Sequence, residues 1–121
     1  MERIGDGELL VREALWTESP LTASEVAERI PPERGWSDRT VKTMLARLLA
    51  KGVLAHEEEG RRYLYRPAVA RADYVAQESG KLLDRMFGGR VTPLVAQLAA
   101  RDRLSPADIA EIEALLKALK Q

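Results

Sequence analysis

Residues 37 to 52 are the most tightly punctuated stretch of this sequence. Ser37 is a good helix N-cap, Asp38 suits the positive end of a helix dipole, and Gly52 stands where a helix terminator belongs. Between them Val41, Met44, Leu45, Leu48 and Leu49 recur at helical spacing and form a stripe for burial. Arg39, Lys42, Thr43, Ala46 and Ala50 fall on the opposite face, with Thr40 and Arg47 at its margins. The pattern predicts a helix ending at Lys51, packed on one side and open on the other.

The flanking segments narrow the fold. A helix is expected over Gly7 to Thr17, with Val11, Ala14 and Leu15 on its apolar face, Leu10 beside it, and Ser19-Pro20 breaking it. Thr22-Ala23-Ser24-Glu25 reads as a capping box, opening a helix that buries Val26, Ala27 and Ile30 before Pro31-Pro32. After Gly52, strands are expected at Val53–Glu57 and Arg62–Arg66 around the turn Glu58-Glu59-Gly60-Arg61, with Pro67 closing the second. Three helices followed by a two-stranded hairpin give a mainly α fold with a small β-hairpin, in the order of a winged helix-turn-helix.

The rest reads as helical. Val75, Leu82, Leu83, Met86 and Phe87 mark one helix, stopped by Gly88-Gly89. Thr92-Pro93 is expected to cap and start the next, which carries Leu94, Val95 and Leu98. Ser105-Pro106-Ala107-Asp108 starts the last, where Ile109, Ile112, Leu116 and Leu119 form a coiled-coil-like seam with Leu115 beside it. An arm of this size cannot bury that seam against a distant domain, so a two-fold mate is the expected partner and the protein is expected to be a homodimer.

Composition excludes several classes. The chain has 121 residues and no cysteine, so there is no disulfide framework, thiolate metal site or thiol switch. The single histidine, His56, cannot assemble a zinc site alone, and no metal or other cofactor is expected. No nucleophile lies in a recognisable motif and no glycine-rich phosphate loop occurs, so no catalytic residue and no enzyme activity are expected. No apolar run approaches the roughly 20 residues of a membrane span, and Met1 to Asp6 lacks a signal peptide's apolar stretch. A cytoplasmic protein is expected. Trp16 and Trp36 read as packing residues; Tyr63 and Tyr65 alternate with Leu64, so one set is expected on the core and the other over the wing.

Net charge is zero, with 19 basic and 19 acidic residues, but the distribution is uneven. Arg39, Lys42, Arg47 and Lys51 fall in a stretch with no acid. A local stripe is what a phosphate backbone feels, because fields decay within about 8–10 Å at ordinary salt. Arg39 can fork onto guanine, and Thr40 and Thr43 can meet a thymine methyl, which makes these three the candidate base readers. Lys42, Arg47 and Lys51 are candidate phosphate contacts. A solvated amphipathic helix also shows a polar face; the missing acids and the neighbouring capped helix and hairpin favour double-stranded DNA. On the hairpin, Arg61 and Arg62 could follow a phosphate track, Arg62 being the better candidate, while Glu57, Glu58 and Glu59 oppose a polyanion.

These stretches resemble one family across nearly the whole chain. Glu8 through Leu15-Trp16, Leu21-Thr22 with Glu25-Val26, and Gly35-Trp36-Ser37 with Arg39-Thr40-Val41-Lys42-Thr43 match in order and spacing. Leu45, Arg47-Leu48, Lys51-Gly52, the Tyr63-Tyr65 strand, Gly88-Gly89 and Leu104-Ser105 continue the match. The chain resembles the penicillinase and methicillin-resistance repressors, a family that also includes copper-responsive repressors. The resemblance implies a winged-helix domain over residues 1–70 and a helical dimerisation domain over 71–121. It implies intertwined dimers on inverted repeats with TACA/TGTA-like half-sites, repression of antibiotic-resistance operons among others, and base readout by Arg39, Thr40 and Thr43.

Two departures are visible. The copper-responsive branch ends in a cysteine-rich hook, absent here. In the β-lactam branch a membrane-bound sensor protease cuts an Asn-Phe bond in the penultimate helix, and Gln97-Leu98 aligns with that bond here. The alternatives to this reading are a ligand-responsive winged-helix repressor of another family and a winged-helix module that binds protein.

Overall fold

A computed structural model describes residues 4–121; Met1 to Arg3, part of the N-terminal stretch read above as lacking a signal peptide, lie outside the described residues. Helices α1 (Ile4–Thr17), α2 (Ala23–Arg29) and α3 (Asp38–Ala50) are followed by strands β1 (Leu54–Glu59) and β2 (Arg62–Pro67). A single 3-10 turn, Pro32–Arg34, lies between α2 and α3. Helices α4 (Arg71–Phe87), α5 (Val91–Ala100) and α6 (Pro106–Leu119) complete the chain. The first six elements form a winged helix-turn-helix. The chain divides into two compact units, one ending at Tyr74 and the other running from Val75 to Gln121.

Val11 and Leu15 of α1, Leu21, Val26 and Ile30 around α2, Val41, Leu45 and Leu48 of α3, and Leu54 of β1 are buried together. Each fully buried aliphatic side chain contributes about 1.5–3 kcal/mol relative to exposure. Met44 and Leu49, expected in the buried stripe of α3, are only half-buried and pack against this core from its edge.

Helix α1 begins at Ile4 rather than Gly7, and Gly7 is a packing position within it. A Cβ there would lie 2.9 Å from the Met44 methyl and 3.1 Å from the Trp36 ring. Glycine therefore lets α1 approach Trp36 and α3 closely.

The wing is longer and its turn tighter than expected. Val53 is not in β1, because its N–H is used to close α3 on the Leu48 carbonyl, with Gly52 at φ +77°. Glu58 and Glu59 belong to β1, and the turn is Gly60-Arg61, with Gly60 at φ +64°. The register sets Glu59 opposite Arg62 and His56 opposite Tyr65. Leu21 adds a one-residue third strand: its N–H donates to the Tyr65 carbonyl at 3.0 Å, and Tyr65 N–H returns the bond at 2.8 Å.

In the second unit, the expected Thr92 cap is replaced. Gly88 and Gly89 are left-handed, Gly89 N–H bonds the Leu83 carbonyl, and α5 starts at Val91 with Arg90 at the N-cap and no side-chain cap. Pro93 sits within the first turn, where its missing N–H costs nothing. Ser105 does cap α6, in a capping box with Asp108. None of α4, α5 and α6 contains a buried residue.

Candidate nucleic-acid interface

The Ser37 hydroxyl accepts from Thr40 N–H at 3.1 Å and lies 3.1 Å from the Thr40 hydroxyl. Thr43 Oγ1 donates to the Arg39 carbonyl at 3.0 Å. Both threonine hydroxyls are thus tied to their own helix, which fixes their rotamers and leaves the Thr43 methyl on an exposed side chain. Arg39, Lys42 and Arg47 are exposed, and none of their side chains makes a hydrogen bond or ion pair to another of the described residues. Three uncompensated cations on one helix face can attract a polyanion at full charge.

Lys51 is placed differently. Its ammonium donates to both carboxylate oxygens of Glu8 on α1 at 2.8 Å, and its backbone N–H caps α3 on the Arg47 carbonyl. Its charge is largely answered within the fold, so it serves α3's attachment more directly than an outside phosphate.

The wing brings further groups to the same face. An open groove of about 460 Å³ is lined by Thr22, Ala23 and Ser24 at the start of α2, Lys42 of α3, and Arg61, Arg62, Tyr63 and Tyr65 of the wing. Lys42 and Arg62, picked from different segments of the sequence, meet here. Arg62 shares its charge with Glu59 at 3.4 Å and Arg66 with Glu57 at 3.9 Å. Two of the wing's three acids are thus partly neutralised by its own arginines. Arg61 at the turn makes no such pair among the described residues, and is a freer cation than Arg62. Its place became legible only once the turn shortened to Gly60-Arg61. Ser24 was not singled out either, although a capping box at Thr22 already placed it in the first turn of α2.

His56 lies on the tyrosine face of the wing, its ring 4.7 Å from Tyr63 and 5.7 Å from Tyr65 between centroids. Tyr63 is exposed and Tyr65 half-buried, and burial, with a smaller effect of Tyr63, pushes the Tyr65 phenol above its ordinary range. Thr22 N–H, then the Thr22 hydroxyl, hold the Glu25 carboxyl below the usual carboxylate range, with Arg29 and Arg62 adding to the effect. Among the described residues no cluster of three His, Cys, Asp or Glu could hold a metal ion, and no helix is long and apolar enough to cross a membrane.

The family model described as penicillinase repressor matches residues 4–118. The penicillinase repressor of Bacillus licheniformis is 34% identical over 115 residues, covering 95% of this chain and 90% of that protein. The chain belongs to the penicillinase repressor family. The methicillin resistance regulatory protein MecI of Staphylococcus aureus (strain N315) is 24% identical over 113 residues, covering 93% of this chain and 92% of MecI. Among solved structures, the DNA-binding domain of the repressor BlaI matches with a TM-score of 0.51 and 38% identity, over 61% of this chain and 94% of that one.

The remaining candidate residues of this penicillinase repressor homologue lie in the second unit. Ile109, Leu116 and Leu119 on α6 are 46%, 51% and 81% exposed, Leu115 is 66% exposed and Ile112 is half-buried. Met86 of α4 and Val91 of α5 are also largely exposed. All three helices of this unit thus carry exposed aliphatic surface. Gln97 is exposed and Leu98 half-buried, both inside α5, and the Leu98 carbonyl accepts from Arg103 N–H beyond the helix end at 2.9 Å.

Proposed function

We propose that this chain is a transcriptional repressor that acts in the cytoplasm as a homodimer on an inverted-repeat operator, without catalytic activity. The observation that carries the reading is the exposed face of α3. Among the described residues the side chains of Arg39, Lys42 and Arg47 stand unpaired there, beside a groove that adds Arg61 and Arg62, in a family of repressors. Arg39 with Thr40 and Thr43 reads base edges in the major groove. Lys42, Arg47, Arg61 and Arg62 hold phosphates, with Lys51 a lesser contributor. The exposed seam of α6, Ile109, Ile112, Leu116 and Leu119, joins two copies over the unit that begins near residue 71, so that two modest half-site affinities combine.

Derepression follows from cutting the arm at or near Gln97-Leu98 by a membrane-bound sensor protease. Helix α5 buries no residue, so opening it locally costs little, as cleavage requires. Mass spectrometry of the chain from induced cells should find the two fragments; an intact chain under full derepression excludes cleavage.

Selection of bound duplexes from random DNA tests the whole reading. It should return one inverted repeat, with affinity falling steeply as salt rises. Recovery of unrelated sequences, or affinity indifferent to salt, would favour a protein-binding module instead.

A further inference from the structure

Arg12 is 9% exposed, and its Nε has no hydrogen-bond partner among the described residues. A buried cation without a carboxylate is costly, and the neighbouring acids of α1 are committed elsewhere: Glu8 to Lys51, Glu13 to Arg71. What Arg12 meets is aromatic. Its guanidinium carbon lies 4.9 Å from the centroid of Trp16 and 4.2 Å from that of Tyr74, and the two rings are 5.4 Å apart. Trp16 Nε1 donates to the Val69 carbonyl at 2.9 Å, and Arg71 Nε donates to Glu13 at 2.9 Å. Arg12, Glu13 and Trp16 share one side of α1, and their partners named here outside that helix, Val69, Arg71 and Tyr74, lie within one short segment. The segment that opens α4 is therefore held at several points on a single helix.

We propose that Arg12, Trp16 and Tyr74 are positioning residues for operator recognition: they anchor the first turn of α4 on α1, and thereby restrict the half-site spacing that a dimer accepts. Plain aliphatic packing would join the same turns without burying a charge, but it lets one helix roll on another. A planar guanidinium against ring faces, with flanking hydrogen bonds of fixed direction, resists that roll. A firm anchor for the first turn of α4 matters because the gain from a second half-site depends on both recognition helices reaching it together. The inference rests on the dimeric, inverted-repeat reading above.

The test uses the full chain and three kinds of duplex: the selected repeat, the same repeat with its half-sites one base pair closer or further apart, and an isolated half-site. Wild type should prefer the native spacing by about tenfold or more. Tyr74→Leu and Arg12→Lys should flatten that preference to within about threefold while half-site affinity and sedimentation as a dimer stay unchanged. Tyr74→Phe, which keeps the ring, should behave as wild type. Folded Tyr74→Leu and Arg12→Lys dimers that retain the full spacing preference overturn the proposal. A wild type that ignores spacing, or binds no repeat, overturns the dimeric reading and this inference with it, an outcome distinct from spacing preference preserved in the variants.

Discussion

Lys51 Nζ lies 2.8 Å from both carboxylate oxygens of Glu8, joining the end of α3 to α1 across 43 residues of sequence. The Glu8 side chain is 11% exposed and that of Lys51 56%, so the acid is the partner that loses water. The pair holds α3 on the core, and in doing so withdraws one cation from the surface proposed to face DNA.

That arrangement separates two roles for Lys51. Lys51→Met should lower stability by about 1 kcal/mol, because Glu8 is left nearly buried without its partner. It should barely change the salt dependence of DNA binding. Lys42→Met should do the reverse, leaving denaturation unchanged and reducing the slope of log K against log salt by about 0.9. Chemical denaturation and salt titrations of both variants check this; a Lys51→Met slope reduced as much as that of Lys42→Met would return Lys51 to the phosphate contacts.

Two glycines in helices should respond with opposite sign to alanine. At Gly80 in α4 nothing lies within 4 Å of a new Cβ, so Gly80→Ala should gain helix stability by about 0.8–1 kcal/mol. At Gly7 the Cβ meets Met44 at 2.9 Å and Trp36 at 3.1 Å. Methionine can yield but the indole is held in packing, so overpacking of about 1–3 kcal/mol should exceed the propensity gain. Thermal unfolding of the two variants measures both signs.

The contrast between those glycines also marks what a sequence can disclose. Helix α3 was legible because its cap, its stripe and its terminator are local signals that agree. Gly7 was placed at the start of α1, since one-dimensional spacing does not show that Trp36 and Met44 close on it. The Leu21–Tyr65 bridge, a single pair of residues, has no periodicity to detect. Arg61 was ranked below Arg62; once the strands are paired in register, Glu59 takes up Arg62 and leaves Arg61 freer. The Thr92 cap failed because Gly89, in a left-handed conformation, already carries the chain into α5. Arg12 drew no notice in the sequence, because nothing local shows that Tyr74 comes to lie against it 62 residues later.

The dimer should depend on α6. Ile112→Asp with Leu116→Asp places charges on the exposed seam and should yield a folded monomer whose affinity for the full repeat falls by about 100-fold or more, toward that of a half-site. Analytical ultracentrifugation reports the state directly. A variant that sediments as a dimer would move the interface to another face of the arm.

The capping box at the start of α6 predicts an acid-sensitive helix. Ser105 N–H, then its hydroxyl, hold the Asp108 carboxyl below the usual range. A folded-state value below the unfolded one means that the carboxylate's contribution is complete above the unfolded pKa and is lost as pH falls through the folded one. Asp108→Asn should remove that part of the acid-side loss of helicity, read by circular dichroism between neutral and strongly acid pH; an unchanged acid limb would show that the cap contributes nothing.

Titration of wild type and Arg39→Ala against the selected repeat and a scrambled duplex of equal length tests the central claim most directly. Arg39→Ala should keep its circular dichroism spectrum and its dimeric state, lose about 1–3 kcal/mol per half-site on the repeat, and lose far less on the scrambled duplex, because a base contact and not only a charge has gone. Equal losses on both duplexes would reduce Arg39 to a phosphate contact, and unchanged affinity for the repeat would contradict readout by this face of α3.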